Sequence, residues 1–208
     1  MLGRVRRVAA VIAAGSTAVF AYFAVIRPWH MRWGASDAEV ARRLPGDDLV
    51  PDPAYVTTRA VTINAPPDQI WPWLAQMGEL PRGGFYTYEW AQRAFGLNVA
   101  NATTLLPRAQ RLQVGQVLDR TGSVVVLDFV PDHYLVLDFR DRPAWRSAWT
   151  IALYPTGRGP TRVVSRVRAS VVPTAGTWWQ LWLLDPGHFL MERRMLLALK
   201  ARVERRPP

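Results

Sequence analysis

The stretch INAPPDQIWPWL (63–74) decides how the rest of the chain is read. Just upstream, residues 57–64 alternate, with Arg59, Val61 and Ile63 on one face and Thr58, Ala60 and Thr62 on the other. That period of two marks a strand. Ala65 and two prolines close it. From Pro67 the spacing changes: Ile70, Trp71, Leu74 and Met77 fall on one helical stripe and Gly78 ends it. Pro72 lies early enough in that helix to be tolerated. A strand passing through Ala-Pro into an amphipathic helix therefore opens the domain.

Downstream, RGGFYTYEW (82–90) leads into a second short helix over 89–95. From residue 112 the period is two again. Strands are expected over 116–120, 124–130, 134–140, 145–154 and 161–171, separated by turn sequences such as Thr121-Gly122 and Pro131-Asp132-His133. In the last strand Val163, Ser165, Val167 and Ala169 oppose Arg162, Arg166 and Arg168. One sheet face should then be buried while the arginine face meets water. Trp149, Ile151 and Leu153 share the buried face of the preceding strand. Asp185-Pro186 reads as N-cap and first-turn proline of a closing helix of about five turns. Met191, Met195 and Leu199 form its stripe, and Arg202, Arg205 and Arg206 complement its C-terminal dipole. TWWQLWLL (177–184) puts Trp178, Leu181 and Trp182 on one helical face but is too short to cross a bilayer. Strand, two helices, an antiparallel run and one long helix make an α+β plan. The long helix is the natural cover for the buried sheet face, and a sheet curved around it leaves space for a cavity.

Toward the N-terminus, Ser36-Asp37-Ala38-Glu39 is a capping box that predicts a short helix over 37–44. GDDLVPDPAY (46–55) reads as an extended acidic strap. Its Asp47, Asp48 and Asp52 lack the regular loop of a calcium site and are expected to be solvated. Residues 8–26 (VAAVIAAGSTAVFAYFAVI) contain no charge and are preceded by Arg4, Arg6 and Arg7. A helix of that length rises close to the ~30 Å bilayer core, which predicts an uncleaved single-span transmembrane anchor in the cell membrane. The competing reading, a cleaved signal peptide, has a shorter apolar core of about 7–15 residues. The arginines ahead of the span favour the N-terminus in the cytoplasm and the domain outside it. The chain thus divides into an anchor (1–30), a capped helix and strap (31–56) and a main domain (57–208).

The chain has 208 residues, half of them apolar, enough for one domain with a sizeable core. It has no cysteine, which excludes disulfides and thiolate metal sites. The net charge of +10 comes from 25 arginines and a single lysine, a balance that raises nucleic acid or an anionic membrane as partner. The arginines are scattered in runs of at most two, with no nucleic-acid-binding signature, so nucleic acid is not expected. His30, His133 and His188 have no metal-ligand spacing, and neither metal nor cofactor is expected.

INAPPDQIWPWL resembles the opening signature of the START-like (SRPBCC) superfamily, whose helix-grip fold wraps a curved antiparallel sheet around a long C-terminal helix. WGASDAEVARRLPGDDLVPDP (33–53), RGGFYTYEW (82–90) and PGHFLMERRML (186–196) resemble a bacterial subfamily of undefined activity. The likeness covers about residues 33–205. It implies a cavity for a lipid or other apolar small molecule, in a carrier, transfer or sensing role that an anchor would place at a membrane. The alternative that the resemblance implies is an enzyme of the polyketide cyclase or hydratase type.

Gly83-Gly84 beside Arg82 lacks the spacing of a phosphate loop and reads as a turn between helices. The aromatics after it serve either as core or as cavity wall. The expected ligand wall is Trp71, Leu74, Tyr86, Trp90, Trp149, Ile151, Met191 and Met195. Tyr88, Glu89 and Glu192 are the acid/base candidates. Glu192, amid Phe189, Met191 and Met195, either pairs with an arginine such as Arg193 or stands in the cavity. Asp138 and Arg140 are expected to face solvent as cross-strand partners.

Overall fold

The computed structural model describes residues 15–17, 19–139, 145–157, 159–171 and 175–205. Its elements are α1 (Arg27–Met31), α2 (Asp37–Ala41), β1 (Tyr55–Ile63), α3 (Pro67–Ala75), α4 (Glu89–Ala94), β2 (Val124–Val130), β3 (Tyr134–Phe139), β4 (Trp145–Pro155), β5 (Thr161–Val171) and α5 (Ala175–Glu204). The five strands form one antiparallel sheet in the order β1-β5-β4-β3-β2. The first strand thus pairs with the last, and α3, α4 and their loops cross between the two ends of the sheet. One face of the sheet carries Ile63, Leu135, Leu137, Ile151, Val163 and Val167, all buried with Met195, Leu196 and Leu199 of α5. This is the α+β arrangement that the alternation and the closing helix predict.

The centre of the other sheet face is covered rather than left in water. Arg166 is 3 % exposed. Its guanidinium donates to Thr58 Oγ1 (3.0 Å), Asp47 Oδ2 (2.8 Å) and the carbonyls of Arg42, Glu39 and Val40. Arg162 pairs with Glu39, and Arg168 donates to the carbonyl of Val50. Helix α2 and the strap behind it therefore cover this face, held by arginines that reach their acceptors only because the strap is folded back. Asp47, expected in solvent, is buried there and also caps the Leu44 amide.

Three further expectations change. The strand over 116–120 reduces to one bridge, Val117 to Val125, because Glu79 and Asp119 take the loop amides that a ladder would need. Glu79 accepts from the amides of Asn98 and Arg120, and Asp119 from that of Val124. Helix α2 ends at Ala41, short of residue 44. Asp185 is no N-cap: α5 runs unbroken through Pro186, and the Asp185 carboxylate is committed to tertiary partners. Among the described residues no helix is long and apolar enough to cross a membrane. Residues 8–14 and 18 of the expected span lie outside them, as do Arg140, Arg206 and the side chains of Trp178, Leu181 and Trp182.

Candidate functional site

Between α5 and the sheet lies a cavity of about 170 Å³. The sheet contributes Val124, Phe139 and Trp149, and α5 contributes His188, Met191, Glu192 and Met195. The remaining wall comes from the segment after α3: Phe85, Thr87, Gln92 and Leu97. Phe139 and Trp149 stack with centroids 5.5 Å apart. The Trp149 indole N–H donates to Ser165 Oγ (2.8 Å), so the polar edge of the ring is satisfied within the sheet.

RGGFYTYEW builds that third wall. Arg82 turns back to donate to the carbonyls of Met77 (2.6 Å), Ala75 and Ala109, satisfying the end of α3. Gly84 has φ +77°, and a Cβ there would stand 2.6 Å from Asn101 Oδ1, so only glycine fits. The same Asn101 accepts from the Tyr86 amide (2.7 Å) and donates to the Thr87 carbonyl (2.7 Å). The segment is thus pinned from both sides. Tyr86 is buried and donates its hydroxyl to the Trp73 carbonyl (2.8 Å), and burial raises its pKa well above the usual phenol value.

A buried polar network adjoins the cavity. Arg59 of β1 is fully buried on the concave face and forms an ion pair with Glu192. Its Nε donates to the His30 carbonyl (2.9 Å), and its Nη1 lies 3.2 Å from His188 Nδ1. A guanidinium can only donate, so Nδ1 of His188 is the acceptor and the ring proton sits on Nε2. Desolvation pulls the His188 pKa below its ordinary value, with the neighbouring Glu192 opposing. One turn earlier, Asp185 accepts from Tyr55 Oη (2.7 Å) and Arg27 Nε (3.0 Å), tying α1, β1 and α5 together. Desolvation, with Asp185 beside it, pushes the Tyr55 pKa far upward. Three wall residues carry buried oxygens with no hydrogen-bond partner among the described residues: Thr87 Oγ1, Gln92 Oε1 and Glu192 Oε1.

Of the wall expected from sequence, Trp149, Met191 and Met195 line the cavity. Leu74, Tyr86 and Ile151 are buried in the continuous core instead. Trp71 is half-buried and stacks on Phe129 at 5.9 Å. Trp90 is 73 % exposed, because α4 turns that face outward while Gln92 turns in. Of the acid/base candidates only Glu192 is in the wall, and its arginine is Arg59 rather than Arg193. Glu89 is occupied by Arg93 and the Asn101 amide, and Tyr88 faces out beneath Arg194. Arg59 carried a legible signal: a cation on the Val61/Ile63 face, matched by one anion in the apolar stripe of α5. Thr87 and Gln92 carried none. Among the described residues no cluster of ligating side chains suits a metal ion.

Residues 54–204 match a family model described as polyketide cyclase / dehydrase and lipid transport. No curated protein matches the chain. Similar solved structures include a protein from Chromobacterium violaceum, 15 % identical with a TM-score of 0.44, covering 73 % of this chain and 98 % of that one. A START superfamily protein from Mycobacterium smegmatis is 14 % identical with a TM-score of 0.42, covering 72 % and 97 %. The di-domain ARO/CYC BexL from the BE-7585A biosynthetic pathway is 16 % identical with a TM-score of 0.42, and the match takes in 77 % of this chain but 54 % of that one. Likeness at that level carries no functional argument, whereas the family match takes in nearly all of the main domain. The chain belongs to the polyketide cyclase / dehydrase and lipid transport family of the START-like superfamily.

Proposed function

We propose that the chain binds a small, largely apolar molecule in the cavity between the sheet and α5. The observation that carries this reading is the wall: Met191, Met195, Trp149, Phe139, Phe85 and Leu97 enclose the space on three sides. Methionines make such a wall adaptable, and the aromatic rings make it rigid where the sheet supports them. The volume of about 170 Å³ is below the ~300–1,000 Å³ typical of drug-sized ligands. It suits a molecule of about one substituted ring, since an apolar cavity of about 150 Å³ elsewhere takes up benzene.

The site works at a membrane in this reading. Support comes from the uncharged run over residues 8–26 and from the exposed Phe20, Val25, Ile26 and Trp29 at its described end. One experiment addresses both parts. The full chain is recovered from the host in detergent and analysed by native mass spectrometry, alongside Met191→Trp, which fills the cavity from a half-buried position. The expected result is a chain in the membrane fraction carrying a co-purified small molecule that Met191→Trp loses. Recovery from the soluble fraction would remove the membrane part, and a ligand-free wild-type chain would remove the binding part.

A second reading, a cyclase- or hydratase-type enzyme, draws on Glu192 and His188 standing side by side in the wall. A general acid or base needs such a placed group next to its substrate. Co-purified species differing by one water would favour it.

A further inference from the structure

We propose that the outer rim of α4 and α5 docks on an anionic phospholipid bilayer, as a second membrane contact beside residues 8–26. This rests on the membrane part of the reading above and adds the face that the domain turns to the lipid. The rim is built from Tyr88, Trp90, Leu190 and Arg194. Trp90 and Leu190 are 73 % and 53 % exposed. The Arg194 guanidinium lies 5.7 Å from the centre of the Tyr88 ring, which in turn lies 6.3 Å from that of Trp90. Leu190 stands one turn before Arg194 on α5. Phe95, also exposed, extends the patch just past the end of α4.

Position along α5 selects the occupant. Arg27 pairs with Asp185, Trp29 packs edge-on against Phe189 with ring centres 5.5 Å apart, and Trp33 lies under Arg193. The contacts advance together from 27 to 33 and from 185 to 193, so α1 and this part of α5 run side by side in the same direction. Trp29 and Leu190 are therefore level, and Arg194 is about 6 Å further along α5. A span over residues 8–26 puts that level among the lipid headgroups, where Trp and Tyr rings are favoured. On the bilayer side of Asp185, residues 175–184 of α5 carry no charge either.

Charge agrees. Glu89 of α4 is taken by Arg93 and the Asn101 amide, and Glu192 turns inward to Arg59. Arg193 and Arg194 are exposed, with their guanidiniums over aromatic rings. Aromatic and aliphatic side chains flanked by such arginines settle at the acyl boundary while the charges reach phosphates. A protein partner would have to supply carboxylates for both arginines or leave them desolvated.

The chain has no cysteine, so single spin labels can report depth. Ala94→Cys and Gly187→Cys, both at exposed positions of the rim, and Leu49→Cys on the strap behind the sheet are labelled in the full chain. Each is reconstituted into vesicles of phosphatidylcholine and phosphatidylglycerol at about 3:1, and into phosphatidylcholine alone. With anionic lipid, the oxygen-to-nickel-chelate accessibility ratio at 94 and 187 is expected to exceed that at 49 by at least about threefold. Adding Trp90→Ala should return the label at 94 to the value at 49. Adding Arg194→Gln should move the docked-to-free ratio about fivefold toward free. Neither change should shift the melting temperature in detergent, because both side chains are exposed. Labels at 94 and 187 that match 49 while the chain floats with the vesicles overturn the rim contact and leave the anchor reading intact. A chain that does not float overturns both. Labels shielded from oxygen and nickel alike mark a protein contact, such as a second copy, and overturn the inference too. Equal depth in phosphatidylcholine alone overturns the assignment to an anionic surface.

Discussion

Arg59 is a guanidinium fully out of water on the concave side of the sheet, and the carboxylate that compensates it comes from another element 133 residues along the chain. Moving two charges into a low-dielectric interior costs several kcal/mol each, and their attraction returns that only while both are present. Removing one should therefore hurt more than removing both. Arg59→Ala or Glu192→Ala is expected to lose about 3–5 kcal/mol, whereas the double replacement Arg59→Met with Glu192→Leu should fold within about 1–2 kcal/mol of wild type or above it. Urea unfolding of the three variants checks this, and additive losses would show that the pair does not act as a unit. The pair was half legible: alternation flagged a cation on an apolar face, but only the packing of α5 on β1 could say which anion it meets.

At the scale of elements, α2 and the strap act as the second layer of the sheet. The capping box formed as its residues predict: Ser36 Oγ accepts from the Glu39 amide (3.3 Å) while Glu39 accepts from the Ser36 amide (2.7 Å). Glu39 also binds Arg162, so the cap that starts the helix docks it on β5. Ser36→Ala should cost about 1 kcal/mol. Asp47→Ala should cost more, since it strips one partner from the buried Arg166 and the cap from Leu44. Denaturant melts rank the two, and the reverse order would refute a strap anchored through Asp47. Capping boxes and helix stripes were legible because their geometry is local. The burial of Asp47 and the arginine face was not, because period-two alternation shows that two faces differ but not whether another segment covers the polar one.

For the molecule as a whole, two histidines, the buried His30 and the part-exposed His188, set a dependence on pH. His30 and His188 both have pKa values lowered from ~6.5, chiefly by desolvation, with Asp185 and Glu192 opposing. Their folded forms stay neutral where the unfolded chain takes up protons. Stability is therefore fully present above ~6.5 and declines as pH falls through that value toward the folded pKa values. Thermal melts from pH 7.5 to 5.5 should show a falling melting temperature, and His30→Gln with His188→Gln should flatten that decline. An equally steep fall in the double variant would place the titration elsewhere. The order of the five strands that formed, their common buried face, the presence though not the start of the closing helix and the glycine turn before the third wall were determined by the sequence alone, because periodicity, caps and turn chemistry act over a few residues. The cavity's actual wall, the Arg59–Glu192 pair and the use of Asp185 as a tie between α1, β1 and α5 were decided only by tertiary structure. Each depends on side chains far apart in the chain, brought together by the pairing of β1 with β5 and the seating of α5.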